Sequence, residues 1–483
     1  MANTLHLRGN NLTIRALGEI ARGKLRIKVA REEEISLRKK WKQVIGQKRI
    51  RTPRGQAESI KETGGNIQRI KSTLYSYAVS SGNPLDKKRV RAIIACKIND
   101  LIKRQEPISP HTLKMLTEII NRDVTPLVRE NSSISSEGFA STLAEIALLV
   151  IGDGEAIYRG ELLPGALSLK RAQVEPVEIN PVEVRSLLSH ETLLAGDLAL
   201  VSHSAQEIIK NIFCAISLGF EFAGEKGKSG KKTIRQKGTL KITISLLRKL
   251  VSKKNGSPHG DIIIPDKVAP SLASLESNYR RLSLVIGKIE SEINKKGHTR
   301  RQTWKTLKNS NHLIEELIDI LSNSVDITST LTRILSEEIE KEKISIEPFK
   351  EYYNEKLFQQ MVSTISGLRA KTELITRTIK RSGIEISVDY LSQNSIIQSL
   401  FKLIPINNSI LAIFYLFAFL KRNLMRKKNL GTGNGTIYRK LKTTFEEFDH
   451  KRPISHLIAD IEETIKNDIL IQAVEAKKLF IEP

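Results

Sequence analysis

The stretch Gly224-Glu225-Lys226-Gly227-Lys228-Ser229-Gly230-Lys231-Lys232-Thr233 has the residue types that hold phosphate. Small residues let the backbone approach an anion, and lysines supply charge. The spacing decides against a nucleotide loop. A phosphate-binding loop of the Walker type needs glycine five residues before its Gly-Lys-Ser, and Gly227-Lys228-Ser229 has Phe222 there. What remains is charge. Residues 226–254 carry 11 Lys/Arg and no acid. Lys226, Lys228, Lys231, Lys232, Arg235 and Lys237 are the candidate polyanion-binding residues. Such density neutralises phosphates whatever the fold, and such binding weakens with salt.

The rest of the composition frames that charge. The 483 residues carry 78 Lys+Arg against 53 Asp+Glu, a net charge of +25. Further basic runs lie in residues 22–54, broken by Glu32, Glu33 and Glu34, and at Lys421, Arg422, Arg426, Lys427 and Lys428. Aromatics are 5% of the chain and are not interleaved with these runs, so no single-strand stacking platform is legible. Two cysteines, Cys96 and Cys214, exclude a disulfide framework and a cysteine-built zinc cluster. They fit a reducing, cytoplasmic setting. The first residues lack the apolar stretch of a secretory signal. The most apolar run, residues 410–420, is shorter than the ~20 residues of a spanning helix, so no membrane segment is expected.

The elements that would position a site read as mostly helix. Asn10-Asn11-Leu12-Thr13 leads into a helix over Ile14–Ala21, with Gly23 as a stop. Val90, Ile93, Ile94, Ile98, Leu101 and Ile102 form one stripe of a helix over 90–104. A second helix spans 111–121 after Pro110, and 141–151 is apolar enough to be buried. Gly152-Asp153-Gly154 is a turn, and residues 155–164 predict a small hairpin. Helical periodicity then runs through 184–219, 268–295, 311–343, 348–381 and 454–477, with a loop predicted over 430–435. The expectation is a mainly α chain. Residues 1–200 form an N-terminal α+β part, and residues 201–483 form a bundle of long antiparallel helices.

These residues carry a family resemblance. Gly152-Asp153-Gly154-Glu155-Ala156-Ile157-Tyr158-Arg159-Gly160, Leu163-Pro164-Gly165-Ala166 and Glu175-Pro176-Val177 resemble the histidine and phenylalanine ammonia-lyases, the aromatic amino acid lyase family. Four other stretches agree in order: Asn11-Leu12-Thr13 with Ile20-Ala21-Arg22-Gly23; Ser76-Tyr77-Ala78 with Gly82-Asn83-Pro84-Leu85; residues 431–438; and Asp449-His450-Lys451-Arg452-Pro453. The resemblance covers about residues 70–225 and 430–470.

The resemblance implies an electrophile made from the chain itself, a methylidene-imidazolone ring formed when Ala-Ser-Gly cyclises and loses two waters. The middle serine supplies the hydroxyl that leaves. Aligning Ser133-Ile134 and Gly152 without gaps places that tripeptide on Ser136-Glu137-Gly138. Glu137 has no β-hydroxyl, so the ring is not expected and no cofactor replaces it. The other implied positions also differ. The Asp after the family's glycine is Phe139, and its Asn-Gly-Thr-Gln falls on Ser189-His190-Glu191-Thr192. Its catalytic tyrosine falls on Ser59, whose hydroxyl cannot take a tyrosine's role, and the His of Ser-His-Ala is Tyr77. Its Tyr-Ser-x-Arg stretch has no match near residues 260–270.

Ser136, Glu137, Gly138, Ser59, Tyr77, Ser189, His190 and Glu191 are therefore the former pocket positions. If the fold holds, Glu137, His190 and Glu191 lie together, either as acid–base or metal-binding groups or as polar fillers. No metal site is expected. Three functions stay open: a pseudoenzyme or repurposed homologue, a lyase using another mechanism on an anionic substrate, and a nucleic-acid-binding protein. The family's sites are built from several subunits. That implies a homo-oligomer, a tetramer, or a hetero-oligomer with an active paralogue.

Overall fold

The computed structural model describes residues 3–46, 49–51, 57–59, 67–135, 140–220, 240–251, 264–295, 300–341, 355–381, 390–424, 430–447 and 452–477. The chain is mainly α, as its periodicity predicts. It divides into two compact units. The first comprises Met1–His203, Val285–Ile314 and Ile384–Gln398; the second comprises Ser204–Leu284, Glu315–Gly383 and Ser399–Pro483.

The first unit holds every strand among the described residues. Thr4–Leu7 pairs in parallel with Arg26–Val29, and the helix Ile14–Ala21 lies between them in sequence. The Thr13 hydroxyl caps that helix by accepting from the Ala16 N–H, and Gly23 sits at φ +74, a turn geometry glycine adopts freely. Ser80–Pro84 pairs antiparallel with Arg129–Ser132. The predicted hairpin is present as Glu155–Tyr158 and Glu161–Pro164, with Thr125–Pro126 added as a third strand. Its turns need left-handed backbone: Gly152 has φ +83 and Gly154 φ +68. The core of this unit is the helix Lys87–Arg104, and every residue from Arg89 to Ile102 is buried, polar ones included.

The second unit is helical. Its described helices include Lys241–Val251, Glu355–Arg381, Thr432–Glu446 and Ile454–Lys466, and parts of Leu193–Gly219, Ala269–Asn294, Arg300–Lys341 and Tyr390–Leu424. Residues 410–420 sit in the last of these and are 0–4% exposed. By length and composition alone, Ser395–Asn423 is apolar enough to cross a membrane, but 83% of its most apolar 18 residues are buried within the protein. A core helix has that property.

Three stretches differ from the sequence reading. The helix expected over 184–219 is two helices, Pro181–Leu188 and Leu193–Gly219, because Ser189 is extended (φ −61, ψ 128) and a short 3₁₀ turn, His190–Thr192, follows. The predicted loop over 430–435 is mostly helix. Gly431 is the cap and the helix starts at Thr432. A side chain at Gly431 would run into the Val251 backbone, and a Cβ at Gly433 would lie 2.7 Å from the Leu250 Cα, so these glycines serve close helix packing and not a turn. The helix over 454–477 ends at Lys466 and restarts at Ile469, because Asp468 is left-handed at φ +55.

Candidate active site

The 189–192 turn is delivered by a rigid local frame. Asn180 and Glu183 form a capping box at the start of Pro181–Leu188: the Asn180 Oδ1 accepts from the Val182 N–H at 3.1 Å, and Glu183 Oε2 from the Asn180 N–H at 2.8 Å. Glu183 Oε1 accepts from the Ser109 N–H at 2.8 Å, which ties the cap to a neighbouring helix start. Burial pushes the Glu183 carboxyl above its usual range, against the pull of those bonds. The helix then stops at Ser189, whose N–H reaches the Arg185 carbonyl at 3.3 Å.

The flanks of the former electrophile position meet this turn. Ser136, Glu137 and Gly138 themselves lie outside the described residues. Ile134 and Ala140 bridge antiparallel across them. The Ser141 N–H donates to the Ser133 carbonyl at 3.0 Å, and the Ser133 N–H to the Ser141 hydroxyl at 2.9 Å. The Ala140 N–H then donates to the Leu188 carbonyl at 3.0 Å. The segment is thus closed at its base and joined to the residue before Ser189. The expectation that these two segments share a site rests on that bond.

Sequence reasoning missed Lys97. Its ammonium donates to the Ser189 carbonyl at 3.0 Å and lies 2.8 Å from the Ser189 hydroxyl. Lys97 is 3% exposed, whereas Ser189 and His190 are half-buried. Lys97 also lines a cavity of about 10 Å³ with Ile94, Leu116, Leu143, Ile146 and Leu187. Its neighbour Cys96 is no nucleophile: burial pushes its thiol up to about 12.

The other sequence candidates scatter or fall outside the described residues. Tyr77 is half-buried at the end of the helix Ile67–Tyr77. Ser59 ends the strand Ala57–Ser59, and Glu191 lies in the 3₁₀ turn beside His190. Lys226, Lys228, Lys231, Lys232, Arg235 and Lys237 lie outside the described residues. Of the same basic stretch, Lys241 and Arg248 are exposed on the helix Lys241–Val251. No cluster of three metal-ligating side chains occurs among the described residues.

Glu145 is a half-buried carboxyl on the helix Ser141–Val150. Its carboxylate accepts from the Ser80 hydroxyl, and no close hydrogen bond reaches its other oxygen, Oε2, from the described residues. Burial raises its pKa above 4.5, although Ser80 and the Arg129 backbone and charge pull the other way. The folded chain therefore holds this proton to higher pH than the unfolded chain does. Stability falls as pH rises from about 4.5 through the raised folded value. Glu145→Gln should accordingly stabilise the protein at pH 7, with the gain shrinking toward pH 4. Urea melts across that range test this, and a gain independent of pH would refute it.

The comparisons with known proteins bear on this geometry. A family model described as aromatic amino acid lyase matches residues 12–235, which include the hairpin, the Ser133–Ser141 closure and the Ser189 turn. Over this region the chain is similar to the aromatic amino acid lyase family. A probable histidine ammonia-lyase of Thermoplasma acidophilum is 30% identical over 168 residues, 35% of this chain and 34% of that protein. A histidine ammonia-lyase of Treponema denticola is 29% identical over 226 residues, 44% of each. These alignments span a third to under a half of the curated relatives' length. The fold likeness extends further. The structure of histidine ammonia-lyase from Trypanosoma cruzi matches with a TM-score of 0.72 over 99% of this chain and 96% of that one, at 16% identity. An ergothionase from Treponema denticola matches at 0.71 over 97% and 99%, also at 16% identity. At that identity the likeness speaks for the fold alone. The chain thus shares the fold of these two structures over nearly its whole length.

Proposed function

We propose that this aromatic-lyase homologue does not perform the methylidene-imidazolone elimination of ammonia, and that its pocket is either idle or put to other use. One observation carries the reading. With Ser133-Ile134 and Gly152 in register, the tripeptide's middle position is Glu137, which has no β-hydroxyl to lose. The Ile134–Ala140 bridge joins the two flanks of this position. The substitutions Phe139, Ser189, Ser59 and Tyr77 point the same way. The residues present do not fit the ring, so no step is routed through it. A conventional general base is also missing from the tyrosine position, because a serine hydroxyl does not ionise near neutral pH.

Intact mass of the purified chain tests this. The full unmodified mass is expected; a deficit of two waters, roughly 36 Da, would overturn the reading. Native mass of the same sample reads the assembly. We expect an oligomer of four chains. Within the second unit, Leu284 and Leu374 are 68% and 66% exposed on long helices, and such apolar residues favour burial against another copy. A monomer throughout removes that part of the proposal.

A further inference from the structure

We propose that the helix Arg31–Ile45 of the first unit is a docking surface for double-stranded DNA, which it meets through the phosphate backbone. This goes beyond the reading of the pocket and does not rest on it, because the helix contributes none of the former pocket positions.

The proposal rests on how the fold sorts charges that alternate in the sequence. The basic run over residues 22–54 is broken by Glu32, Glu33 and Glu34. In the structure these acids occupy the first turn of the helix, where its positive end favours them. Glu33 Oε2 accepts from the Gln105 Nε2 at 2.9 Å, and the Ser36 hydroxyl donates to the Gln105 Oε1 at 2.8 Å, so Glu33 is engaged with the protein body. From Ile35 to Ile45 the helix carries Arg38, Lys39, Lys40 and Lys42 and no acid.

The helix is also unusually open. Of its 15 residues only Leu37 is buried, and Glu33, Lys40, Trp41 and Val44 are half-buried. Arg31, Ile35, Arg38, Lys42 and Ile45 are exposed and recur at the 4-3-4-3 spacing of one helix face, with Lys39 beside them. Among the described residues no acid pairs with Arg38, Lys39 or Lys42. The positive surface begins before the helix. Arg26 and Lys28 are the exposed positions of the strand Arg26–Val29, whose Ile27 and Val29 are buried. Lys28 precedes Arg31 by three residues, so their Cα atoms are at most about 11 Å apart.

The composition of this face selects the partner. Exposed cations at this density neutralise phosphates without any side-chain matching. Ile35 and Ile45 are the only apolar members of the stripe, and about 15 Å of helix separates them. That is no continuous apolar band for a bilayer. Trp41 is the one aromatic of the helix and is half-buried, so the face offers neither a stacking platform for a single strand nor an aromatic anchor for a protein. An α-helix about 10–12 Å across matches the ~12 Å major groove of B-form DNA, whereas the major groove of duplex RNA is too narrow.

The test follows a fluorescein-labelled DNA duplex by anisotropy with the full chain, as salt is raised from about 50 to about 200 mM. The parent chain is expected to bind, with affinity falling steeply as salt rises. Arg38→Gln combined with Lys39→Gln and Lys42→Gln should make the slope of log affinity against log salt shallower by about 2–3, roughly 0.9 for each cation removed. Glutamine is close to lysine and arginine in helix propensity, and all three positions are exposed, so the helix is kept. The control removes the same charge from exposed positions of the second unit, by Lys241→Gln, Lys440→Gln and Lys442→Gln, and should leave the slope within about 1 of the parent's. No binding by the parent overturns the proposal. So does a helix variant with the parent's slope, or an equal loss in both variants, which would make the attraction a property of the net charge alone. Duplex RNA of the same sequence bound as tightly as DNA also overturns it, as does binding of phosphatidylserine vesicles in place of the duplex.

Discussion

Asp197→Ala is expected to cost about 3–5 kcal/mol of stability, the usual penalty for removing one partner of a buried ion pair. Arg89 and Asp197 are bidentate: Nε to Oδ1 at 2.6 Å and Nη2 to Oδ2 at 2.7 Å. Their side chains are 5% and 3% exposed. The planar guanidinium matches a carboxylate in two parallel bonds, so the pair fixes direction as well as distance. It joins the helix Lys87–Arg104, which carries Lys97, to the start of Leu193–Gly219, which follows Ser189. Truncation leaves a guanidinium in the core without that carboxylate. The cost arises from this desolvation and not from the attraction alone. Replacing both residues, as Arg89→Met with Asp197→Leu, should recover most of it. The shift in the urea midpoint of each variant is the measurement. A single variant within 1 kcal/mol of the parent chain, by the same buried-pair reasoning, would show that the pair is not as isolated from water as its geometry implies.

That pair also explains why the site was only half legible. Self-contained local signals are legible in the sequence. Thr13 caps Ile14–Ala21, and Gly152 and Gly154 turn into the Glu155–Pro164 hairpin, because capping and positive φ are written in one or two residue types. The apolar stripe of residues 90–104 marks the helix Lys87–Arg104 but says nothing of where Arg89, Arg91, Lys97 and Asp100 lie. All four are buried, since this helix is enclosed on every side and its polar residues find partners far along the chain. Lys97 meets a residue 92 positions away, and no periodicity within one helix encodes that distance. The break at Ser189 was hidden for a similar reason. Apolar spacing continues through residues 184–219, and only the fixed position of the following helix shows that the chain must change direction there. The glycines at 431 and 433 look like a loop in sequence. Their reason lies across the fold, where the Leu250 and Val251 backbones come too near for any side chain.

The second unit offers a test of equal size. Tyr415→Ala should lose about 3–5 kcal/mol, and Tyr415→Phe about 1 kcal/mol. Tyr415 is fully buried within the apolar run 410–420, among side chains as closed off as Phe414 and Phe417. Its hydroxyl reaches the Asn211 carbonyl and the Asn211 Oδ1, each at 3.0 Å, and also bonds the Cys214 thiol. Burial raises the pKa of both the phenol and the thiol well above their ordinary values, so both stay neutral through the physiological range. The phenylalanine variant keeps the ring and loses only the hydroxyl, whereas the alanine variant leaves a ring-sized hole that close-packed neighbours cannot fill. The ratio between the two losses is therefore the informative quantity. If Tyr415→Phe costs as much as Tyr415→Ala, the hydroxyl network and not ring packing holds this part of the core. If the alanine loss is several times larger, Tyr415 works there chiefly as apolar volume, which is the role its apolar neighbourhood in the sequence assigns to it.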